Sequence, residues 1–320
     1  MREFLSNTAH LHVILNHVPT IGFCVGLVIF LIGLARWHDG LKRTGLTVFF
    51  AVANVSIATF ITGVGAEELI KDHPGVSEVA IRAHEDAALL AFTLMEITGF
   101  FAWLALWQWR TIPRRPPRGI VPVVLVLSVV TFALMANAAN LGGEISHAEI
   151  RSASAVTATP APDGGVAGVA RSIGMFVAGE TWVWPACETI HFVGLCILFS
   201  VVLIVDLRML GMVKSVSYAA VFQLLPLGML GFGLNLITGM LFFMGNPGQY
   251  IHNVMFFWKI VLVMIGGFNV LYFTLDHEPW EVGPGDDAPL TAKIAAVSAM
   301  FLWAAVLFCG HMLPFLGDAF

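Results

Sequence analysis

Apolar residues in this chain run in eight long blocks, near 12–35, 45–66, 84–108, 119–141, 186–207, 219–244, 253–275 and 293–315, separated by shorter polar stretches. A bilayer core about 30 Å thick is crossed by roughly 20 helical residues, so each block is long enough to span it. The pattern predicts an all-α membrane protein of about eight transmembrane helices arranged as two four-helix bundles. Pro226 lies inside the sixth block, where a missing N–H is expected to kink the helix.

Composition agrees with the pattern. Hydrophobic residues make up 58% of the chain and charged residues only 12%, with a mean hydropathy of +0.84. A soluble domain of 320 residues could not cover its surface with so little charge. No cleavable leader is expected, because the first block is longer than a signal core and no small-x-small site follows it. The four cysteines, Cys24, Cys187, Cys196 and Cys309, show no CxxC or CxxCH spacing, which argues against structural zinc, a disulfide framework and covalent haem. The net charge of −5 matters less than its distribution. Arg36, Lys42, Arg43, Arg110, Arg114, Arg115, Arg118, Arg208, Lys214 and Lys293 fall in alternate loops, and short loops rich in Lys and Arg stay cytoplasmic. The opposite loops are acidic. Both termini are therefore expected to be extracytoplasmic.

The longest polar stretch contains SASAVTATPAPDGGVAG and reads as a flexible extracytoplasmic connector. It divides the chain into a four-helix domain at 1–150, a linker at 151–182 and a second four-helix domain at 183–320. The likeness between the halves is one of layout, with no clear internal repeat.

In that topology nine of the eleven histidines lie toward the outer face: His10, His12, His17, His73, His84, His147, His191, His252 and His311. Ionisable groups in a membrane are costly unless paired or used, so imidazoles gathered at one depth point to ligands or proton handling. In an up-down bundle the first and third helices are diagonal neighbours, and facing side chains can bracket a planar ligand. His17 and His84 are the expected pair, since two opposed neutral imidazoles hold a low-spin b-type haem. His12 and His17 are five residues apart, about 140° around a helix, and cannot both address one iron. His12 is the shallower and is expected to meet headgroups or His147. Glu67, Glu68, Glu85, Glu144, His147 and Glu149 surround the same mouth. Carboxylates with imidazoles could instead hold a di-iron or copper centre. Capping and solvation are the plainer uses of single acids.

The second half repeats the layout. His191 lies about one turn into the fifth block, with His252 or His311 as the expected partner for a second haem. Lys259 lies inside the seventh block and must pair, reach water or snorkel; a haem propionate or a quinone carbonyl would each satisfy it. Glu96, Asn54, Asn137, Asn235 and Asn269 could line a quinone pocket or bridge helices.

The motifs LHVILNHVP, TGVGAEEL, HPGVSE, AHEDAALLAF and NLGGEISHAEI together resemble a group of uncharacterised bacterial four-helix membrane proteins related to predicted cytochrome-b-like domains, over about residues 10–150. The resemblance implies that His12, His17, Glu67, Glu68, His84, Glu85 and His147 belong to one site. ETIHFVGLCILFSVVLIVDLRMLG, GFGLNLITGM and NVMFFWK are similar to a second uncharacterised bacterial four-helix family, whose members often carry Arg where this chain has Gly310-His311.

The expected function is that of a membrane cytochrome b-type subunit with one or two haems b in the outer leaflet of a bacterial cytoplasmic membrane. It would link the quinone pool to an extracytoplasmic c-type cytochrome or dehydrogenase, within a larger complex. The alternatives are a non-haem metal site or metal transporter built on Glu67, Glu68, His84, Glu85 and His147, and a structural anchor for a redox complex. No feature points to nucleic acid.

Overall fold

A computed structural model of the chain describes residues 7–73, 76–111, 119–146, 166–276, 278–283, 286–313 and 315–316. The described residues are helical and contain no strand. In chain order the helices are α1 (Thr8–Leu15), α2 (Phe23–Ala35), α3 (Asp39–Ile70), α4 (Glu78–Thr111), α5 (Ile120–Ser146), α6 (Val166–Gly179), α7 (Val183–Met209), α8 (Tyr218–Gly245), α9 (Pro247–Ile251), α10 (Val254–Leu275) and α11 (Leu290–Met312). With α1 and α2 taken as one span, eight of these segments are long and apolar enough to cross a membrane. Their outward faces are greasy: Val126 is 63% exposed and Phe301 71% exposed. Such surfaces are stable against lipid and would aggregate in water.

The chain forms two compact units, Met1–Met175 and Phe176–Phe320. The stretch expected to be a flexible connector is in part the helix α6; its portion at 147–165 lies outside the described residues.

In unit 1, α1 and α2 are joined by a π turn, Val18–Gly22, that contains the buried Pro19. Proline lacks the N–H that an α-helical ladder would use, and the wider turn absorbs the break. The spans pack in sequence order, α2 on α3, α3 on α4 and α4 on α5, while α5 returns to α2 and the π turn. This leaves the first and third spans diagonal. Phe23, Phe30 and Phe49 form the core of the end where α2 meets α3, with rings 4.8 Å and 5.7 Å apart. Polar bridges cross the interior. Thr98 and Thr131 hydroxyls lie 2.9 Å apart, and Ser56 Oγ donates to Glu96 Oε1 at 3.1 Å. Glu96 thus joins α3 to α4 midway along the span.

In unit 2, α7 packs on α8 and α11, and α11 packs on α10. Gly194 and Gly231 let the α7 and α8 backbones touch: a Cβ on either would lie 2.7 or 2.9 Å from the other's carbonyl oxygen or side-chain neighbours. Small residues permit this close packing where lipid offers no hydrophobic drive to bring helices together. Asn269 Nδ2 donates to Ala295 O and Ser298 Oγ at 2.8 and 2.9 Å, tying α10 to α11. Pro226 is accommodated within a continuous α8. The loops at the far end are tied by Asp287, which pairs with Lys214 at 3.0 Å and Lys293 at 3.6 Å.

Candidate functional site

Two histidines of unit 1 are seated in the same way. His12, on α1, places Nδ1 3.0 Å from the carbonyl of Thr59 on α3, and its Cε1 lies 3.0 Å from where a Cβ on Gly63 would stand. His84, on α4, places Nδ1 2.9 Å from the carbonyl of Ala138 on α5, and its Cε1 lies 3.0 Å from a Cβ on Gly142. In each case the acceptor and the glycine are four residues apart, so they stand one turn apart on one face of the neighbouring helix. A larger residue than glycine would push the ring out. A carbonyl oxygen only accepts, so each Nδ1 carries the hydrogen and each Nε2 keeps its lone pair. Both rings are half-buried, on diagonal spans, and close enough to interact electrostatically. His12 lies about 6 Å from the start of α1 and His84 about 9 Å from the start of α4, at roughly 1.5 Å rise per residue. The two imidazoles therefore share one end of the unit.

This reverses the expected division of labour between His12 and His17. His17 is exposed and its Nδ1 bonds to Val13 O of its own segment at 2.9 Å, so it does not face His84. His12 holds the inward position. The five-residue separation had set the two apart correctly but not which of them turned inward. A span that is apolar on every side gives no stripe from which to read its inner face.

The carboxylates split into separate uses. Glu85 hydrogen-bonds to Glu67, a contact two carboxyl groups make by sharing a proton, and it does so at the rim beside His84. Glu68 is exposed and pairs with Lys71 at 2.8 Å, and this bond to Glu68 raises the Lys71 amine above its ordinary value. Glu144 is buried and accepts from Asn140 Nδ2 at 3.4 Å. Asp86 forms an ion pair with Arg171, which fastens α6 beside the His84 end. Among the described residues no three of His, Cys, Asp and Glu converge as a metal centre would require. The expected di-iron or copper cluster of Glu67, Glu68, His84 and Glu85 is thus not assembled by them; His147 and Glu149 lie outside the described residues.

Among the described residues of unit 2, one histidine turns inward. His191 Nδ1 lies 2.8 Å from Thr238 Oγ1 on α8, and that hydroxyl donates its own hydrogen to Leu234 O at 2.6 Å. Thr238 must therefore accept, and His191 too carries its hydrogen on Nδ1. The expected partners are elsewhere. His252 is exposed at the end of α9, and His311 is exposed and packs on Phe315 with ring centroids 5.7 Å apart. Lys259 of α10 places its Nζ 3.6 Å from where a Cβ on Gly310 of α11 would stand. Its amine thus lies against α11 near that helix's C-terminal end. Cys187 and Cys309 are both buried and free.

Sequence reasoning missed Thr59, Gly63, Ala138 and Thr238. Three of these offer nothing but a backbone oxygen or a missing side chain, and only the threonine in GFGLNLITGM carries a polar signal. No known family model, curated protein or solved structure matches this chain.

Proposed function

We propose that the chain is a membrane cytochrome b-type electron-transfer subunit, in which His12 and His84 would hold a haem b in unit 1. The observation that supports this reading is the pair of imidazoles on diagonal spans, each pinned through Nδ1 to a backbone carbonyl and each left with a bare Nε2. Two neutral imidazoles are the donor set of a low-spin b-type haem, and ligating histidines are ordinarily oriented by a second hydrogen bond of this kind. The residues present fit that group in donor type and tautomer. Bound there, haem would supply one-electron chemistry. The protein's own part is to hold both rings against rotation and, through the Nδ1–H bonds, to make each Nε2 more basic, which favours the oxidised iron. The Glu67–Glu85 contact keeps an exchangeable proton at the same rim, where it can move to offset an arriving electron.

Loops bearing Arg36, Lys42 and Arg43 lie at the opposite end of the bundle and set that end cytoplasmic. The histidine end then faces outward from a bacterial cytoplasmic membrane. Electrons would pass there between the quinone pool and an extracytoplasmic c-type cytochrome or dehydrogenase, with this chain as one subunit of the complex.

The purified chain should show a Soret band, a reducible α-band and roughly one protohaem by pyridine haemochrome. His12→Ala and His84→Ala should each abolish the reduced α-band, and His17→Ala should keep it. A chain without a Soret band ends the proposal, as does a band that survives His12→Ala and vanishes in His17→Ala.

A further inference from the structure

The amides inside the spans are mostly put to use within the chain. Asn269 ties α10 to α11, Asn235 Nδ2 donates to Gly231 O at 2.8 Å, and Asn54 is buried. Asn140 Nδ2 lies 3.4 Å from Glu144 Oε1 on its own helix. Asn137 is different. It is exposed on α5, and among the described residues nothing bonds to its amide. The span Ile120–Ile145 has 26 residues, a rise of about 39 Å, against a hydrocarbon core of about 30 Å. Asn137 stands about 12 Å inside Ile145, within the hydrocarbon. An amide facing lipid at that depth finds neither water nor protein to bond, which is costly until a partner arrives.

Its surroundings are also unlike the other lipid-facing surfaces. Val123, Val126, Val130, Ala133 and Asn137 are all exposed and follow one another by three, four, three and four residues. That spacing lays them in one stripe about 21 Å long. Val124, Thr131 and Ala138 are buried on the inner side of the same helix, where Ala138 O seats His84. Outward faces elsewhere carry bulk, such as Phe257, Trp258 and Phe268 on α10 and Phe301 and Phe308 on α11. On α5 the outer half of the stripe carries only alanine and the amide, with the exposed Ala136 alongside. Small side chains let helix backbones approach in a membrane, and amides there hydrogen-bond across such contacts.

Symmetry selects the partner. Loop charge inserts every copy the same way up, so a two-fold axis relating two copies runs along the membrane normal. Two α5 helices then meet in parallel, with each residue of the stripe opposite its twin. A charged stripe would repel itself and a bulky one would hold the backbones apart; this stripe has no charge and no side chain larger than valine or asparagine. A side-chain amide is its own complement, since Nδ2–H of one copy donates to Oδ1 of the other and the exchange is mutual. A foreign helix would need a polar group at the same depth, whereas a second copy brings one. We propose that the chain forms a two-fold dimer through α5, with the Asn137 amides hydrogen-bonded across the axis and Val123, Val126, Val130 and Ala133 packed against their twins. The proposal goes beyond the haem reading of unit 1 and does not depend on it.

The test is self-association of the full chain. In mild detergent the unaltered protein should sediment as a dimer. Asn137→Leu should raise the dimer dissociation constant by about tenfold, as the loss of two interhelical hydrogen bonds implies, while Asn137→Gln, which keeps an amide, should retain most of the affinity. Ala133→Phe should weaken the dimer at least as much as Asn137→Leu. In host membranes, with the native cysteines changed to alanine, Val126→Cys and Ala133→Cys should each form a disulfide-linked species of twice the chain mass on oxidation with copper phenanthroline. Phe301→Cys, on an outward face of unit 2, should not. His12→Ala should remove the haem band and leave the dimer intact, so a chain without haem that still dimerises would defeat the unit 1 reading alone. The dimer is overturned by an unaltered chain that stays monomeric at every concentration, by undiminished association in both Asn137→Leu and Ala133→Phe, or by cross-links from Val126→Cys and Ala133→Cys that join this chain only to a different protein.

Discussion

In unit 1 the rings of His12 and His84 lean on Gly63 and Gly142, each with Nδ1 on a backbone carbonyl; in unit 2 His191 leans near Gly239, and Lys259 of the diagonal span sets its amine beside Gly310. The seating of the histidine is shared: Nδ1 goes to the next helix, beside a glycine, and the tautomer is fixed. The partner on the diagonal span differs, and that residue sets the chemistry. Two imidazoles would each bring a lone pair to a metal, whereas a charged amine brings only N–H donors. The histidine seat is a reusable device, and the residue across from it is the variable part.

The largest effect should come from giving unit 1 the partner found in unit 2. His84→Lys replaces one imidazole with an amine on a longer, flexible stem, and the bis-imidazole α-band should be lost or displaced in reduced-minus-oxidised spectra.

The glycine seats differ in tightness, which gives the next contrast. A Cβ on Gly142 or Gly63 would stand 3.0 Å from an imidazole, but one on Gly239 would stand 3.9 Å from His191, an ordinary contact. Gly142→Ala and Gly63→Ala should each cost about 1–3 kcal/mol by overpacking, and should lower thermal stability together with the low-spin fraction of the spectrum. Gly239→Ala should be neutral or slightly stabilising, since alanine favours a helix by up to about 1 kcal/mol over glycine.

A smaller change should follow Thr238→Val, which keeps the shape and removes the acceptor of His191. Leaving that Nδ1–H unpaired costs about 1–3 kcal/mol. Thermal stability should fall by a matching amount while haem content stays the same.

The smallest effect lies at the far end of unit 2. The hydrogen bond from Lys214, its charge and that of Lys293 hold the Asp287 carboxyl below the usual value. A carboxyl whose folded pKa is depressed contributes stability that is fully present above the unfolded value, near 3.9, and is lost as pH falls through the folded value. Thermal unfolding should therefore show a difference between the parent and Asp287→Asn near neutral pH that fades below about pH 4 and in high salt. The pair is at the surface, so the difference should sit close to the limit of detection.

The eight spans were legible because apolar length alone specifies a membrane helix, and Asp39–Ile70 and Glu78–Thr111 simply extend the blocks read near 45–66 and 84–108 into polar ends. His191 was legible as an inward candidate because it sits about a turn inside its block, and His84 because it opens a block diagonal to the first. The choice between His12 and His17 was not, because it depends on how the π turn at Pro19 and the packing on α3 rotate α1. Lys259 was visible as an anomaly, yet its place beside Gly310 depends on how α10 packs on α11. Helix α6 was read as linker because its small residues resemble the loop before it.

The break at Pro19 leaves the two histidines of unit 1 on unequal supports. His84 rides on a helix of 34 residues, but His12 rides on one of 8, too short to persist alone. That short segment is held against α3 by Thr8 beside Gly65, by Thr59 Oγ1 donating to Leu15 O at 3.2 Å and by His12 itself. Amide exchange should be fastest there, and assembly has a natural order: the long helices close first, and the N-terminal flap latches last, over whatever has entered.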